Sequence, residues 1–413
     1  MRWDKPHPQV KSVLSKILLC RTAALKGRLY RCSGCQSEVN VYNSCTDRHC
    51  PQCSGAQRAN WMDKSAEVVL PGVPYFQVIF TMPDKLSALI LGNRNKLYSL
   101  LFHSAWKALN SQLRETAGFE AAALMVLHTW NQLLQHHPHL HVLVPAAGPS
   151  IAGDQWLVAK HPKHRRRKKP YLTDVHQLGR AFREHYVRGL RRLFKKGELK
   201  IGGSVDFLND PDQRELFLEG LESIDWNVFA QGPPEGKSNP TNVLKYLARY
   251  LGGGPIADRR LISVGKDEVH FWARPKKSIH KHKGMNRPKR FRLSARQFMQ
   301  RWAMHILPKG FTRSRCYGGY HGSKRKQYIE LSRQLLIASG QAATEPTVED
   351  AEVDVSAAQP KCRRCDGEMT LVHSQRKPSW RTIFERDIFR TDDYSPQFHR
   401  SGGRSPPDGQ QRK

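Results

Sequence analysis

The chain has 413 residues and carries 68 Lys and Arg against 36 Asp and Glu, a formal net charge of +32. That length predicts two or three domains, and a positive excess this large repels itself without a polyanion, so nucleic acid comes first among partners. No apolar run is long enough to span a bilayer and Met1 to Val10 is polar and proline-rich, so neither a membrane protein nor a secretory leader is expected.

The stretch from Met1 to Asn60 is rich in cysteine and short of large aliphatics after Leu29. Cys32-Ser-Gly-Cys35 and Cys50-Pro-Gln-Cys53 are two C-x-x-C knuckles, with Gln36 to His49 between them. Each knuckle offers two thiolates from one tight turn, so the pair is expected to close a tetrahedral four-cysteine zinc site that stands in for a missing core. Metal-spaced cysteines also favour a reducing, cytoplasmic setting over a disulfide framework. Cys20, Cys45 and His49 lie close by and can be read as a second ligand set, supporting groups or ordinary buried residues, the last being the reading for Cys20.

Ala56 to Leu70 reads as a helix broken by Pro71-Gly72-Val73-Pro74, and Tyr75 to Thr81 as a buried strand. Leu86 to Glu115 has helical periodicity in two pieces around Leu91-Gly92-Asn93. Leu124 to Trp130 and His137 to Pro145 read as neighbouring strands. Asp174 to Lys195 is a basic helix, Trp226 to Gln231 a strand, and Thr241 to Leu251 a helix ended by Gly252-Gly253-Gly254-Pro255. Leu261 to Gly265 and Val269 to Ala273 form an expected hairpin across Lys266-Asp267-Glu268. Helices around Ser294–Ile306 and Lys324–Ala338 complete the folded part, and after Ser339 the composition turns to that of a largely disordered tail. The tail holds a third knuckle, Cys362-Arg-Arg-Cys365, with His373 nearby; half a site assigns no metal. Cys316 is read as a core residue.

Within the second of the neighbouring strands, His139-Leu140-His141 places two imidazoles on one face while Leu140, Val142 and Val144 point to the other. Paired neutral imidazoles suit a divalent cation. The third ligand is expected from His128, on the strand just before, which an antiparallel pairing with a short connection brings into register with His139; Gln132, Gln135 and His137 are the alternatives. Tyr246 and Tyr250, four apart on a helix, share a face, with Lys245 and Arg249 as an adjacent basic row. A metal site together with a tyrosine pair points to phosphoryl transfer with tyrosine as nucleophile. Two basic blocks serve as phosphate contacts: His161 to Lys169, with Arg165, Arg166, Arg167, Lys168 and Lys169, and Arg274 to Arg292.

These stretches resemble the HUH-type, two-tyrosine rolling-circle transposases of the insertion sequence 91 family. The resemblance rests on Tyr42-Asn43-Ser44-Cys45, Arg48-His49-Cys50-Pro51-Gln52-Cys53, Phe80-Thr81-Met82-Pro83, Val126-Leu127-His128-Thr129-Trp130, His137-Pro138-His139-Leu140-His141, Tyr246-Leu247-Ala248-Arg249-Tyr250 and His305-Ile306-Leu307-Pro308, in family order over roughly residues 15–338. Asp258 stands where relatives often carry Asn. The resemblance implies an α+β fold, an HUH-endonuclease-like antiparallel sheet with flanking helices, preceded by a small zinc-binding module. The corresponding division is 1–70 for the zinc module, 71–338 for the catalytic domain and 339–413 for the tail. It further implies a DNA strand nickase and transferase located in the cytoplasm with the nucleoid. The histidines would hold Mg²⁺ or Mn²⁺, Tyr246 or Tyr250 would form a 5′-phosphotyrosine link, and the partners would be single-stranded element ends and target DNA. Two other readings fit the composition: a zinc-containing nucleic-acid-binding protein without catalysis, and a degenerate transposase. The coexistence of the histidine and tyrosine pairs argues against both.

Overall fold

A computed structural model of the protein describes residues 7–53, 65, 68–159, 171–232, 254–274, 287–340 and 361–385. In chain order the helices and strands are α1 (Pro8–Leu18), β1 (Gly27–Cys32), β2 (Glu38–Tyr42), β3 (Tyr75–Thr81), α2 (Ser87–Gly92), α3 (Arg94–Ala117), β4 (Ala122–Trp130) and β5 (His136–Pro145). There follow β6 (Ala147–Pro149), β7 (Trp156–Val158), α4 (Val175–Lys195), α5 (Pro211–Glu222), β8 (Val228–Gln231), β9 (Leu261–Val264) and β10 (Glu268–Ala273). The last are β11 (Lys289–Ser294), α6 (Ala295–Ala303), β12 (Ser314–Gly318), α7 (Arg325–Ala338), β13 (Met369–Ser374) and α8 (Trp380–Glu385). The described residues fall into two compact units, one drawn from 54–255 and 299–351, the other from 2–53, 256–298 and 352–413.

The first unit is built on a five-stranded antiparallel sheet in the order β12-β4-β5-β3-β8, with the histidine strand β5 at its centre. Strand alternation divides its side chains. One face presents Phe76, Val78 and Phe80 of β3, Met125 and Leu127 of β4, and Leu140, Val142 and Val144 of β5 to a core shared with α3 and α4. Helix α4 forms because Leu178, Phe182, Tyr186 and Leu190 recur at helical spacing and Asp174 caps its first turn, accepting from the His176 and Gln177 amides at 2.8 and 3.0 Å. Phe182 meets Phe80 and Trp226, both at 5.1 Å between ring centroids. Gly179 lets the helix come close to the chain entering β8, since a Cβ there would lie 2.7 Å from the Trp226 carbonyl oxygen. Helix α3 stops at Gly118, whose φ of +76° is a left-handed cap open to glycine at little cost. On the other face, Leu124, Val126 and Leu143 join a smaller cluster with Tyr75, Tyr320, Tyr328 and Leu336. The histidines share that second face.

The second unit holds two three-stranded antiparallel sheets, β13-β1-β2 and β11-β10-β9. The expected hairpin is present as β9 and β10, and the basic block after it contributes a third strand, β11. There Arg290 donates to His270 at 2.8 Å and Arg292 pairs with Glu268 at 3.1 Å.

Of the tail read from the sequence as largely disordered, the described residues 361–385 carry structure: β13 pairs antiparallel with β1 from Arg28↔Ser374 to Cys32↔Met369, and α8 follows. Composition concealed this because a short strand needs only an open edge to pair with, and β1 supplies one. The expected helix over Ala56–Leu70 lies mostly outside the described residues.

Candidate metal centre

β4 and β5 run antiparallel with His128 directly opposite His139 and Val126 opposite His141. Cross-strand partners project to the same face, so this register puts all three imidazoles together. Their ring centroids lie 4.5 Å (His128–His141), 5.0 Å (His139–His141) and 5.4 Å (His128–His139) apart. One nitrogen from each lies within 4.8 Å of the others, the spacing of a three-ligand cation site. His128 and His141 are buried and His139 is half-buried, so one ring remains open to an incoming group.

The hydrogen bonds around the rings decide which nitrogen is available. His139 Nδ1 lies 2.7 Å from the His137 carbonyl, which only accepts; Nδ1 therefore carries the proton and Nε2 the lone pair. Gln77, the one polar side chain inside strand β3, lies with its amide nitrogen 2.7 Å from His141 Nδ1. A nitrogen donor there leaves the proton on Nε2. With the amide turned over, Oε1 accepts from Nδ1–H and Nε2 becomes a ligand, and the heavy-atom positions are unchanged. Desolvation lowers the His139 pKa to about 4, the His137 carbonyl contact working the other way. Desolvation also holds His141 well below the ordinary histidine range, aided by the neighbouring charges of His139 and Arg313. Neutral imidazole is the metal-binding form.

Trp130 stacks on His128 at 4.7 Å with an interplanar angle of 18°, and the Arg313 guanidinium sits 5.1 Å from the Trp130 centroid. Arg313 also donates to the Leu127 carbonyl at 3.1 Å. Its position in sequence gives no hint of this, whereas a glutamine inside Tyr-Phe-Gln-Val-Ile-Phe-Thr was a visible signal for Gln77. Of the alternative third ligands, His137 points Nδ1 toward Asp84 at 3.4 Å and Gln135 accepts from Asn131 at 2.8 Å. Tyr246, Tyr250, Lys245 and Arg249 lie outside the described residues, as do Arg165, Arg166, Arg167, Lys168 and Lys169.

In the second unit the cysteines are grouped differently from the single site expected. Cys50 and Cys53 join Cys20 and Cys45, whereas Cys32 and Cys35 lie apart from them with Cys362 and Cys365. The reason is the β1–β2 hairpin between the two knuckles. Its register pairs Arg31 with Glu38 near the Cys32–Cys35 turn and Gly27 with Tyr42 at the opposite end, so the knuckles are separated by the length of the hairpin, roughly 15 Å. Cys20 is thus a cluster member and not an ordinary buried residue. Cys53 Sγ lies 3.6 Å from both Cys20 and Cys45, the Cys45 amide donates to Cys20 Sγ at 3.4 Å, and all four thiols are buried. Hydrogen bonds from Cys45 and Cys50 draw the Cys20 thiol below the ordinary range and push those two up, the pattern of thiols crowded around one negative charge. His49 is not in the cluster; its Nδ1 pairs with Asp47 at 2.9 Å.

Residues 1–82 match a family model described as "Transposase zinc-binding domain", and residues 122–327 one described as "Putative transposase". The chain is 34% identical over 339 residues to "Putative transposase y4qJ" of Sinorhizobium fredii, covering 81% of this chain and 80% of that one. It is 27% identical over 250 residues to "Transposase for insertion sequence element IS801" of Pseudomonas savastanoi pv. phaseolicola, covering 60% of this chain and 56% of that one. No solved structure matches the chain. The zinc-binding match and the buried four-cysteine cluster inside it together support structural zinc. Among the described residues no helix is long and apolar enough to cross a membrane.

Proposed function

We propose a strand-nicking and strand-transfer mechanism for this protein, which belongs to the insertion sequence 91 family of transposases. Family membership makes it a DNA-processing enzyme whose partner is DNA, and the net charge of +32 supplies the counterion-releasing affinity that binding needs. The observation that carries the finer reading is the convergence of His128, His139 and His141 on one face of the central strands.

A cation held there would act as a Lewis acid on the scissile phosphate. An all-imidazole donor set suits Mn²⁺ better than Mg²⁺, which prefers oxygen ligands. The strands hold the rings in place and the sheet excludes water from one side of them. A tyrosine, Tyr246 or Tyr250, attacks the phosphorus. The Oη–P bond forms as the P–O3′ bond breaks, the phenol gives up its proton, and the departing 3′-oxygen takes one up. The product is a 5′-phosphotyrosine link with a free 3′-OH, and one phosphodiester replaces another, so transfer needs no nucleotide hydrolysis. With two tyrosines, one can hold an element end while the other acts on the next strand. Lys245 and Arg249 supply positive charge beside the transferring phosphate, and Arg165 to Lys169 contact the DNA backbone. Single-stranded element ends and target are the proposed substrates, and the nucleoid the proposed location.

The test is cleavage of end-labelled single-stranded DNA carrying the element's termini, resolved on denaturing gels. Wild type should give a protein–DNA adduct that needs Mn²⁺ or Mg²⁺, survives denaturation and vanishes in Tyr246→Phe/Tyr250→Phe. Tight binding with no adduct under any metal would remove the nickase and leave a binding protein.

A further inference from the structure

Cys362 and Cys365 lie outside both stretches that match family models, yet their sulfurs complete a tetrad with Cys32 and Cys35. Cys32 Sγ is 3.4 Å from Cys365 Sγ and Cys35 Sγ is 3.6 Å from Cys362 Sγ, and all four lie within 4.8 Å of one another. Four thiolates at about 2.3 Å from a zinc ion stand about 3.8 Å apart, so these separations fit a tetrahedral site. They are far too long for disulfides, which need about 2.05 Å.

The backbone is built twice to the same plan. In the first knuckle the Gln36 amide donates to the Cys32 carbonyl at 3.1 Å, the Cys32 amide donates to Ser37 at 3.0 Å, and Gln36 has φ +57°. In the second the Asp366 amide donates to Cys362 at 2.9 Å, the Cys362 amide donates to Gly367 at 2.8 Å, and Asp366 has φ +58°. The Ser33 amide donates to the Glu368 carbonyl at 2.9 Å and ties the two turns together. The Arg364 amide reaches Cys362 Sγ at 3.4 Å, a donor placed for a thiolate. Glycine makes room: a Cβ on Gly367 would sit 3.1 Å from Cys32 Sγ and 3.3 Å from Cys365 Sγ.

We infer that Cys32, Cys35, Cys362 and Cys365 hold a second structural zinc ion, and that this ion staples the C-terminal segment 361–385 onto the N-terminal module. The sheet it joins has little else to hold it. Val39, Val41, Leu371 and Val372 are all exposed, and among the described residues Tyr30 and Met369 pack beside the tetrad at its end. A segment this poor in core depends on the metal for its folding free energy. The staple also serves the first cluster. Beyond β13, Ile383 is buried among Cys20, Cys45, Cys50 and Cys53, the Lys16 and Lys377 ammonium groups lie 5.5 and 5.4 Å from the Trp380 ring centroid, and Lys377 donates to Thr46 at 3.1 Å. The zinc-binding module is therefore discontinuous, and its last piece comes from the far end of the chain.

The experiment counts zinc per chain by elemental analysis on reduced full-length protein carrying His128→Ala, His139→Ala and His141→Ala, so that the imidazoles add nothing to the count. Cys362→Ser/Cys365→Ser should lose one zinc, Cys32→Ser/Cys35→Ser should lose one, and the fourfold variant should lose no more than either. Cys365→His should keep the full count, because a Cys₃His set still binds zinc; this guards against loss by misfolding. Limited trypsin digestion should release the C-terminal segment from Cys362→Ser/Cys365→Ser and leave it attached in Cys365→His. An unchanged zinc count in Cys362→Ser/Cys365→Ser, or, in protein purified without reductant, thiols of this tetrad that become titratable in denaturant only after reduction, would overturn the assignment.

Discussion

Gln77 and His141 face each other diagonally across β3 and β5, amide nitrogen to Nδ1 at 2.7 Å, with Phe76, Val78 and Phe80 of β3 pairing with Val144, Val142 and Leu140 of β5 around them. A buried amide on the outer nitrogen of an imidazole fixes the ring's tautomer, and with it the nitrogen offered to a cation.

Replacing Gln77 with Leu should therefore weaken Mn²⁺ binding by about 10–100-fold, the usual consequence of losing a ligand's supporting hydrogen bond. Gln77→Glu, which can only accept from Nδ1–H, should hold Mn²⁺ at least as tightly as wild type. Titration calorimetry on both variants checks this. Equal affinity in Gln77→Leu and wild type would mean that His141 is oriented by packing alone.

The three-histidine face was legible in the sequence because it depends only on strand alternation and a short connection, both local. His128 followed from the register that this short connection imposes on its strand and that of His139. The cysteine grouping was not legible. Two knuckles this close in sequence invite a single site, and the segment between them had to be recognised as the strand Glu38–Tyr42 before the knuckles could be seen to part. The Glu-Val-Asn-Val-Tyr alternation was a signal, though a weak one for a strand with every residue exposed. Cys362 pairs with Cys35 across more than three hundred residues, and no spacing rule reaches that far. Strand β12 was missed for a related reason: Ser-Arg-Cys-Tyr-Gly lacks the β-branched content of an edge strand and pairs through its backbone with β4.

The aromatic cluster behind the sheet should be a stability determinant separate from the metal sites. Phe182 is fully buried and touches Phe80, Tyr186 and Trp226, with centroids 5.1, 6.4 and 5.1 Å away. Phe182→Ala should cost about 3–5 kcal/mol by the lost burial and the cavity left behind. Denaturant unfolding measures the loss, and zinc content, held by the other unit, should not change.

The two cysteine clusters should release metal at different rates. All four thiols of the Cys20 cluster are buried, whereas Cys35 and Cys365 are exposed at the rim of the second. A chelator reaches a metal through its most open ligand. Mixing protein that carries His128→Ala, His139→Ala and His141→Ala with excess chelator and a zinc indicator should therefore give a fast phase and a slow phase of equal amplitude. Adding Cys362→Ser/Cys365→Ser should abolish the fast phase alone. A single phase without the cysteine replacements would mean that the two sites release zinc alike, and loss of the slow phase with them would reverse the order assigned to the two sites.

Acid should destabilise the five-stranded unit through His136, which sits at the head of β5. Its Nδ1 lies 2.6 Å from Ser87 Oγ and its Nε2 2.9 Å from the Tyr98 hydroxyl. Desolvation pushes its pKa down to about 3, and the charges of His305, Arg94 and His137 act in the same direction. The folded state thus keeps this ring neutral where the unfolded chain would protonate it near pH 6.5. Between those two values the unfolded state binds more protons, so stability rises with pH across the interval. The contribution is fully present above about pH 6.5 and is lost as pH falls toward about 3. In His136→Gln the amide can replace part of the hydrogen bonding without titrating. The variant should be less stable than wild type at pH 7, and the gap should narrow as pH is lowered to 5, with both chains sharing every other titration. Urea midpoints at several pH values measure that gap, and a constant gap would mean that His136 does not change its protonation on unfolding.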